Sequence, residues 1–563
     1  MIIEKMKTYI KNNWGLILSI LLCVGVMSYF ITQKNGFHED EMFSYGSSNY
    51  RYDNVYRPYG YAAFNMDILY NQVLPQNNIK TLFQFIHDSN KNDYTNYDVN
   101  EELYQEIPTW KSSKEALEYL RVGSGDVFNY RSVYINQTYD VHPPMFYFAM
   151  HLVSTIFYGH FTKYIGFTLN IILFVSSLIM LAKICTKLKM EKLKIPAILM
   201  YGLSVGAVST VSFHRMYMML TFFGTWYLYL TVKLIKENYE IKNYWPWLIC
   251  IFAGFLTQYY FSIYVLALFF VNTIYLLAKK DYKKWLKYFI CHVGAVVAAI
   301  LFFPASIYHI LFSSRGVSSA GDTSFVNNFN YFLSAIIRMF SLDYFWKFGL
   351  IVLVIGVAWY CYSHKKIENK LFLANLIVPI IIYLVAVSLE APYLGYDYTS
   401  RYIMILFPSI ALLLTYIFIN IFSNKYFYPI FVAAIIGWNI YSYSYNQLVY
   451  LYHDYQDVLT LANENADIPF IYVYDNNFTH LSSMPEFTIY KEHLIIDDTK
   501  YDYSLLLNDE VIKSTDKVIV CVKNWLNKDE VIQKIIENTD FKDRTVLKEI
   551  DGDISSTYYV LNK

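Results

Sequence analysis

Apolar residues in this chain come in runs long enough to cross a bilayer, and the runs recur along most of its length. A helix needs about 20 consecutive apolar residues to span hydrocarbon. By that criterion the sequence predicts eleven or so spanning helices, near 14–32, 165–183, 196–213, 215–233, 244–262, 263–279, 288–310, 346–363, 371–389, 402–421 and 427–445. Hydrophobic residues make up 55% of the 563, and mean hydropathy is +0.26. That is too apolar for a soluble protein of this size, so the expected fold class is an all-α polytopic membrane protein. The 57 tyrosines fit this reading, many lying at run ends where an amphipathic ring suits the water–lipid boundary. Acidic and basic residues balance at 46 each, and no basic stripe points to nucleic acid.

Lysine placement orients the spans. Lys5, Lys7 and Lys11 precede the first span and put the N-terminus in the cytoplasm. The next inside loop carries Lys183, Lys187, Lys189, Lys192 and Lys194; later ones carry Lys233, Lys236 and Lys242, then Lys279 to Lys287, then Lys365, Lys366 and Lys370. The short outside turns near Phe213-His214 and Tyr259-Tyr260 hold no lysine. The alternation requires that the apolar stretch 143–160 does not span, so it reads as a helix lying in the outer interface. The first run has no small-x-small cleavage site after it and reads as an uncleaved anchor.

This map divides the chain into an N-terminal tail and first span (1–32), an outer loop with interfacial helices (33–164), a helix bundle (165–446) and an extracytoplasmic tail (447–563). The outer loop has helix-like stretches at 78–89 and 112–121, the second opening on a Ser-x-x-Glu pattern. In the tail, 469–474, 517–522, 544–549 and 557–561 read as strands and 528–538 as a helix, which predicts a small α/β domain. Of the six cysteines only Cys521 lies outside on this map, so no disulfide can form within the exported regions.

Few polar residues interrupt the spans, and those that do fall at the outer boundary. Ionisable groups near hydrocarbon are costly and mark sites. Asp40-Glu41 follows the first span closely enough for a carboxylate to take a proton from an acceptor hydroxyl. His142-Pro143-Pro144 opens the interfacial helix; proline suits a helix's first turn, and the free N–H groups there favour phosphate. Arg215 and Arg401 each stand at the outer start of a span, and guanidinium binds phosphate through paired donors. Asp140, Gln258 and Tyr259 lie at the same level, where they can meet sugar hydroxyls or an acceptor. The ordinary alternatives are an acidic turn in water, a helix-start device and headgroup anchoring by the arginines. The outer turns are otherwise nearly free of cations, which weighs against the last.

Together these features resemble the GT-C superfamily of polyprenyl-phosphate-sugar glycosyltransferases, in particular bacterial relatives of the protein O-mannosyltransferases (family 39) and the lipid A aminoarabinose transferase. The resemblance rests on the acidic pair after the first span, the long outer loop, and the Asp-Val-His-Pro-Pro-Met-Phe-Tyr run. It rests also on the Arg-Met-Tyr and Ser-Arg-Tyr span starts and the α/β tail, and covers about residues 14–445 by architecture. It implies a bundle with an outer cavity and a sugar donor on dolichyl or undecaprenyl phosphate. Asp40 would be the base and Glu41 its support. His142, Arg215 and Arg401 would hold the donor phosphate, and transfer would invert the anomeric centre. Many relatives carry histidine where Gln258 stands, and Glu39 adds a third acid beside the pair. No cofactor is required on this reading, and the sequence indicates no metal, although a divalent ion is compatible with it. The acceptor would be a glycopolymer, a glycolipid or a protein, and the location a bacterial plasma membrane.

Two alternatives use the same residues. A lipid-linked sugar flippase would recognise phosphate in the same way, but such transporters show two similar halves and a mid-membrane site, neither visible here. A polysaccharide polymerase also works outside, but its large loop falls later in the chain.

Overall fold

The computed structural model describes residues 2–51, 68–76, 78–90, 94–98, 108–138, 140–311, 325–340, 367–390, 400–421, 426–444, 448–475, 478–552 and 555–563. Its helices turn their apolar faces outward. Along Tyr282–Phe302, Leu286, Ile290, Val293, Val297 and Leu301 are all exposed, an apolar stripe at helical spacing. The opposite face buries Tyr288, Cys291, His292, Ala295 and Ala299. Small and polar side chains inside with large apolar ones outside are what a helix needs when its solvent is lipid.

Seven helices are long and apolar enough to cross a membrane: Lys11–Thr32, Lys163–Lys187, Tyr217–Lys236, Phe261–Ala278, Tyr282–Phe302, Lys370–Leu389 and Ser400–Asn420. The expected eleven are not reached among the described residues, for local reasons. The span expected at 196–213 is two helices, Glu191–Gly202 and Val205–Ser212, bent by 59°. Ser204 makes the break: its hydroxyl caps the second helix by accepting the Ala207 N–H at 3.1 Å. The span expected at 244–262 is only Trp245–Phe255, and that at 427–445 is Phe427–Ser442, both short of a bilayer's width. The span expected at 288–310 starts earlier, ends at Phe302 and is followed by a separate helix, Ala305–Leu311. The span expected at 346–363 lies outside the described residues. Met145–Ile156, 12 residues, is too short to span, as the lysine alternation required.

The long loop after the first span is largely helical where described. Its helices are Glu39–Asn49, Ile79–Asn90, Ser113–Leu120 and Tyr130–Thr138. Ser112 and Glu115 form the expected reciprocal cap: the Ser112 hydroxyl accepts the Glu115 N–H at 3.3 Å, and the Glu115 carboxylate accepts the Ser112 N–H at 2.7 Å.

The tail forms a sheet with strands β1 (Lys111–Ser112), β2 (Phe470–Tyr474), β3 (Glu492–Asp497), β4 (Lys517–Lys523), β5 (Asp543–Ile550) and β6 (Ser556–Asn562). Their order is β1-β3-β2-β4-β6-β5, with β2 parallel to both β3 and β4 and the remaining pairs antiparallel. β2 and β4 are buried on both faces, which is why they read as unbroken apolar runs. β1 comes from the first loop, so the two regions outside the bundle share one sheet. Cys521 is buried within β4 and unbonded.

Glu41 joins these parts. Its Oε2 accepts from Lys34 Nζ at 3.0 Å and from the His38 N–H at 2.7 Å, and its Oε1 accepts from the His214 N–H at 2.8 Å. Lys34 Nζ also donates to the Tyr450 carbonyl at 2.6 Å. One carboxylate thus ties the exit of the first span, the start of the Glu39–Asn49 helix, the turn before Tyr217 and the chain entering the tail. Burial pushes the carboxyl's pKa above its ordinary value, with Lys34 and the two amides pulling it only part of the way back. Every neighbour is a donor, so the ionised form is the one that fits.

Two variants test this scaffold. Glu41→Gln leaves Lys34 buried without a counter-charge and is expected to cost about 3–5 kcal/mol, read as a large fall in thermal midpoint. At Gly46 a Cβ would come within 2.0 Å of the Tyr119 ring. Gly46→Ala is expected to cost about 1–3 kcal/mol by overpacking, and a double variant with Tyr119→Leu should recover part of that loss.

Candidate active site

The Glu39–Asn49 helix presents Asp40 from its first turn. His38 caps it, Nδ1 accepting the Asp40 N–H at 3.0 Å. Burial lowers the His38 imidazole to about pH 3, so it is neutral and suits that acceptor role. The Asp40 carboxylate lies between two guanidiniums. Arg401 Nη1 donates to Oδ2, and Arg215 Nη2 stands 3.8 Å from Oδ1. Burial raises the Asp40 pKa, but Arg401 and then Arg215 outweigh it and hold the carboxyl well below the usual carboxylate range. Asp40 is therefore ionised and paired.

Each arginine is held by its own surroundings. Arg215 Nη1 donates to Ser44 Oγ and to the Tyr147 hydroxyl, both at 2.9 Å. Its Nη2 lies 3.4 Å from His142 Nε2. His142 Nδ1 is 2.8 Å from Asp140 Oδ2. A carboxylate must be given a proton, so Nδ1 carries the hydrogen and Nε2 accepts from Arg215. Asp140 thus orients His142, and His142 orients Arg215. Arg401 stacks on Tyr402, 5.3 Å from the ring centroid, and its Nη2 reaches the Tyr402 hydroxyl at 3.5 Å. Stacked aromatic rings line this side, Phe213 lying 3.9 Å from Tyr450 and 5.6 Å from Tyr217. Both Arg215 Nε and Arg401 Nε are buried without a hydrogen-bond partner. Two guanidiniums around one carboxylate, each with an N–H left unfilled, make a place where a second anion can bind.

Of the residues expected here, Asp40, Arg215, Arg401, His142 and Asp140 come together. Glu41 lies next to them but its oxygens face Lys34, His38 and His214 rather than the arginines. Tyr259 is linked less directly: its hydroxyl meets His309 Nδ1 at 2.9 Å, and His309 Nε2 lies 3.4 Å from the Thr138 carbonyl. The Gln258 side chain accepts the N–H of Tyr259 at 2.7 Å, closing a local turn. The start of the Met145–Ile156 helix is less open than its sequence suggests, because the Met145 N–H donates to the Leu256 carbonyl at 2.9 Å.

Sequence reasoning missed Lys34, His38, Ser44, Tyr147, Tyr402 and His309. Ser44 and Tyr147 carried a faint signal. Ser44 falls one helical turn after Asp40, and Tyr147 ends the run that begins at Asp140.

Residues 141–308 match the model of the dolichyl-phosphate-mannose-protein mannosyltransferase family. That region contains His142, Arg215, Gln258 and Tyr259. The crystal structure of ArnT from Cupriavidus metallidurans bound to undecaprenyl phosphate is similar at a TM-score of 0.50 and 9% identity, over 97% of this chain and 98% of that one. The same protein in its apo state aligns at 0.44 and 10% identity, over 96% and 97% of the two chains. No curated protein sequence matches the chain. The chain is thus a multi-pass membrane protein with the fold of the GT-C glycosyltransferases.

Proposed function

We propose that this protein is a membrane glycosyltransferase that moves a sugar from a polyprenyl phosphate to an acceptor hydroxyl at the outer face of the plasma membrane. The observation that carries this reading is the pairing of one carboxylate, Asp40, with two buried guanidiniums, Arg215 and Arg401, that keep unfilled donors. Undecaprenyl phosphate is the lipid to try first, since the ArnT structure similar in fold holds it.

The donor's phosphate enters beside Arg215 and Arg401 and takes up their unfilled N–H groups. The guanidiniums then divide between phosphate and Asp40. Sharing them weakens their hold on Asp40 and raises its basicity. An acceptor hydroxyl meets the anomeric carbon from the face opposite the phosphate, and Asp40 takes its proton as the new C–O bond forms. The bond between the anomeric carbon and the phosphate oxygen breaks, and polyprenyl phosphate leaves with the electron pair. The two guanidiniums stabilise the charge it gains, so the step itself asks for no metal. Configuration inverts because attack and departure lie on opposite faces. Asp140 and His142 position Arg215, and Tyr259 with Gln258 are proposed to meet the sugar. The N-terminus lies in the cytoplasm and the tail domain outside.

The test is release of undecaprenyl phosphate from a panel of undecaprenyl-phosphate sugars by purified protein, with candidate acceptors supplied. Asp40→Asn is expected to lower turnover by about 100-fold or more, the usual scale for general-base loss, with donor still bound. Arg401→Met is expected to weaken donor binding as well as turnover. Donor binding without release by wild type under any acceptor would favour a lipid-linked sugar flippase. Normal transfer by Asp40→Asn would remove Asp40 as the base.

A further inference from the structure

The tail sheet has a feature that the transfer mechanism does not use. From β2 the chain first goes to β3 on one side and then crosses to β4 on the other. The connecting segments cover opposite faces. Phe487 packs on Phe470 and Tyr472, whereas Tyr503, Leu506 and Ile512 join the cluster containing Ile471 and Val473. The connection from β2 thus leads to one side of the sheet and that from β4 to the other, so the winding reverses between these two parallel strands. In open α/β sheets the carboxyl ends of strands at such a point form a crevice where ligands bind.

At that place β4 ends in Lys523, which is 2% exposed. Its ammonium makes no hydrogen bond or ion pair among the described residues. It lies 5.4 Å from the Tyr472 ring centroid and 5.7 Å from that of Trp525. Trp525, two residues on, is 47% exposed. Rings and the more distant charge of buried Glu486 are its surroundings, and an ammonium so placed, making no hydrogen bond, keeps its donors for an arriving anion. Burial lowers the Lys523 pKa, only partly offset by Cys521, Glu486 and Glu39. Glu39 adjoins Asp40, and the Glu39–Asn49 helix packs against the Phe478–Ser483 segment of the tail. The carboxyl end of β4 thus lies beside the helix that presents Asp40. An exposed indole next to an ammonium matches a sugar ring that carries a negative charge, the indole covering its apolar face and the ammonium pairing with the charge.

We propose that the carboxyl-end crevice between β2 and β4 binds an anionic saccharide, Lys523 pairing with its carboxylate or phosphate and Trp525 stacking on its ring, and that this is the acceptor's approach to Asp40. The proposal rests on the glycosyltransferase reading, and its test separates the two. Full-length protein in lipid nanodiscs is titrated with glucuronic acid, glucose 6-phosphate and glucose, followed by saturation-transfer NMR. Undecaprenyl phosphate binding by the same preparation is measured alongside.

The expected result is that at least one anionic sugar binds wild type more tightly than glucose. Lys523→Met should lose about tenfold or more in that affinity, Lys523→Arg should keep most of it, and Trp525→Ala should weaken all three sugars. Preference between glucuronic acid and glucose 6-phosphate identifies the charged group. Equal binding by wild type and Lys523→Met overturns the proposal, as does equal affinity for glucose and the anionic sugars. Undecaprenyl phosphate binding by wild type with no sugar bound also overturns it, and leaves the transferase reading standing. Sugar binding as described with no lipid phosphate bound would fail the transferase reading alone.

Discussion

The Glu41 carboxylate is the joint on which the site depends. Three N–H donors from three separate segments converge on its two oxygens, one of them a buried ammonium. The chain needs such a joint because its functional groups come from distant places. Asp40 follows the first span, Arg215 precedes the Tyr217–Lys236 span, and Arg401 opens another. Lipid supplies no hydrophobic force to press these helices together, so polar links and close packing must do so. Glu41 fixes the helix start that carries Asp40 and also the turn that carries Arg215. The spacing of base and guanidinium is thereby set by one residue. A buried ion pair gives little net stability, and its better-attested use is to specify one arrangement.

With that arrangement fixed, Asp40 faces a conflict that the fold maintains. Two buried guanidiniums keep it ionised and also make it a poor base. An anion that takes a share of those guanidiniums relieves the conflict. On the proposed reading the donor's phosphate is such an anion, so binding the donor and raising the basicity of Asp40 become one event. Loss of a proton from the acceptor is then favoured only when a donor is present to receive the attack. The tail domain sits directly against the same helix, with β1 drawn from the first loop into its sheet.

Much of this was legible in the sequence, because the bilayer imposes a strict code. Apolar length gave most of the spans, and the lysine alternation correctly kept 143–160 from being one. Helix breaks were less visible. The Ser204 cap that splits 196–213 sits in an apolar run and leaves no gap in hydropathy. The early end of the helix at Phe255 is likewise hidden in an apolar run. In the tail, β2 and β4 stood out as apolar runs, but β3 was missed because Glu492 and His493 open it. The clustering of Asp40, His142, Arg215 and Arg401 followed from threading alone. The different duties of Asp40 and Glu41 did not, because adjacent residues on a helix point about 100° apart, and no pattern in sequence says which faces the arginines. Lys523 was invisible for a similar reason, since it ends a run of buried β-branched residues as an ordinary lysine would.

The central claim is that one pair of guanidiniums serves Asp40 in the empty site and phosphate in the loaded one. The most direct test is the affinity of undecaprenyl phosphate for wild type and for Asp40→Asn, measured on the full-length protein in nanodiscs at low salt. If carboxylate and phosphate share the guanidiniums, removing the carboxylate's charge frees them, and Asp40→Asn binds undecaprenyl phosphate more tightly than wild type. Equal or weaker binding by a folded Asp40→Asn protein would contradict the account.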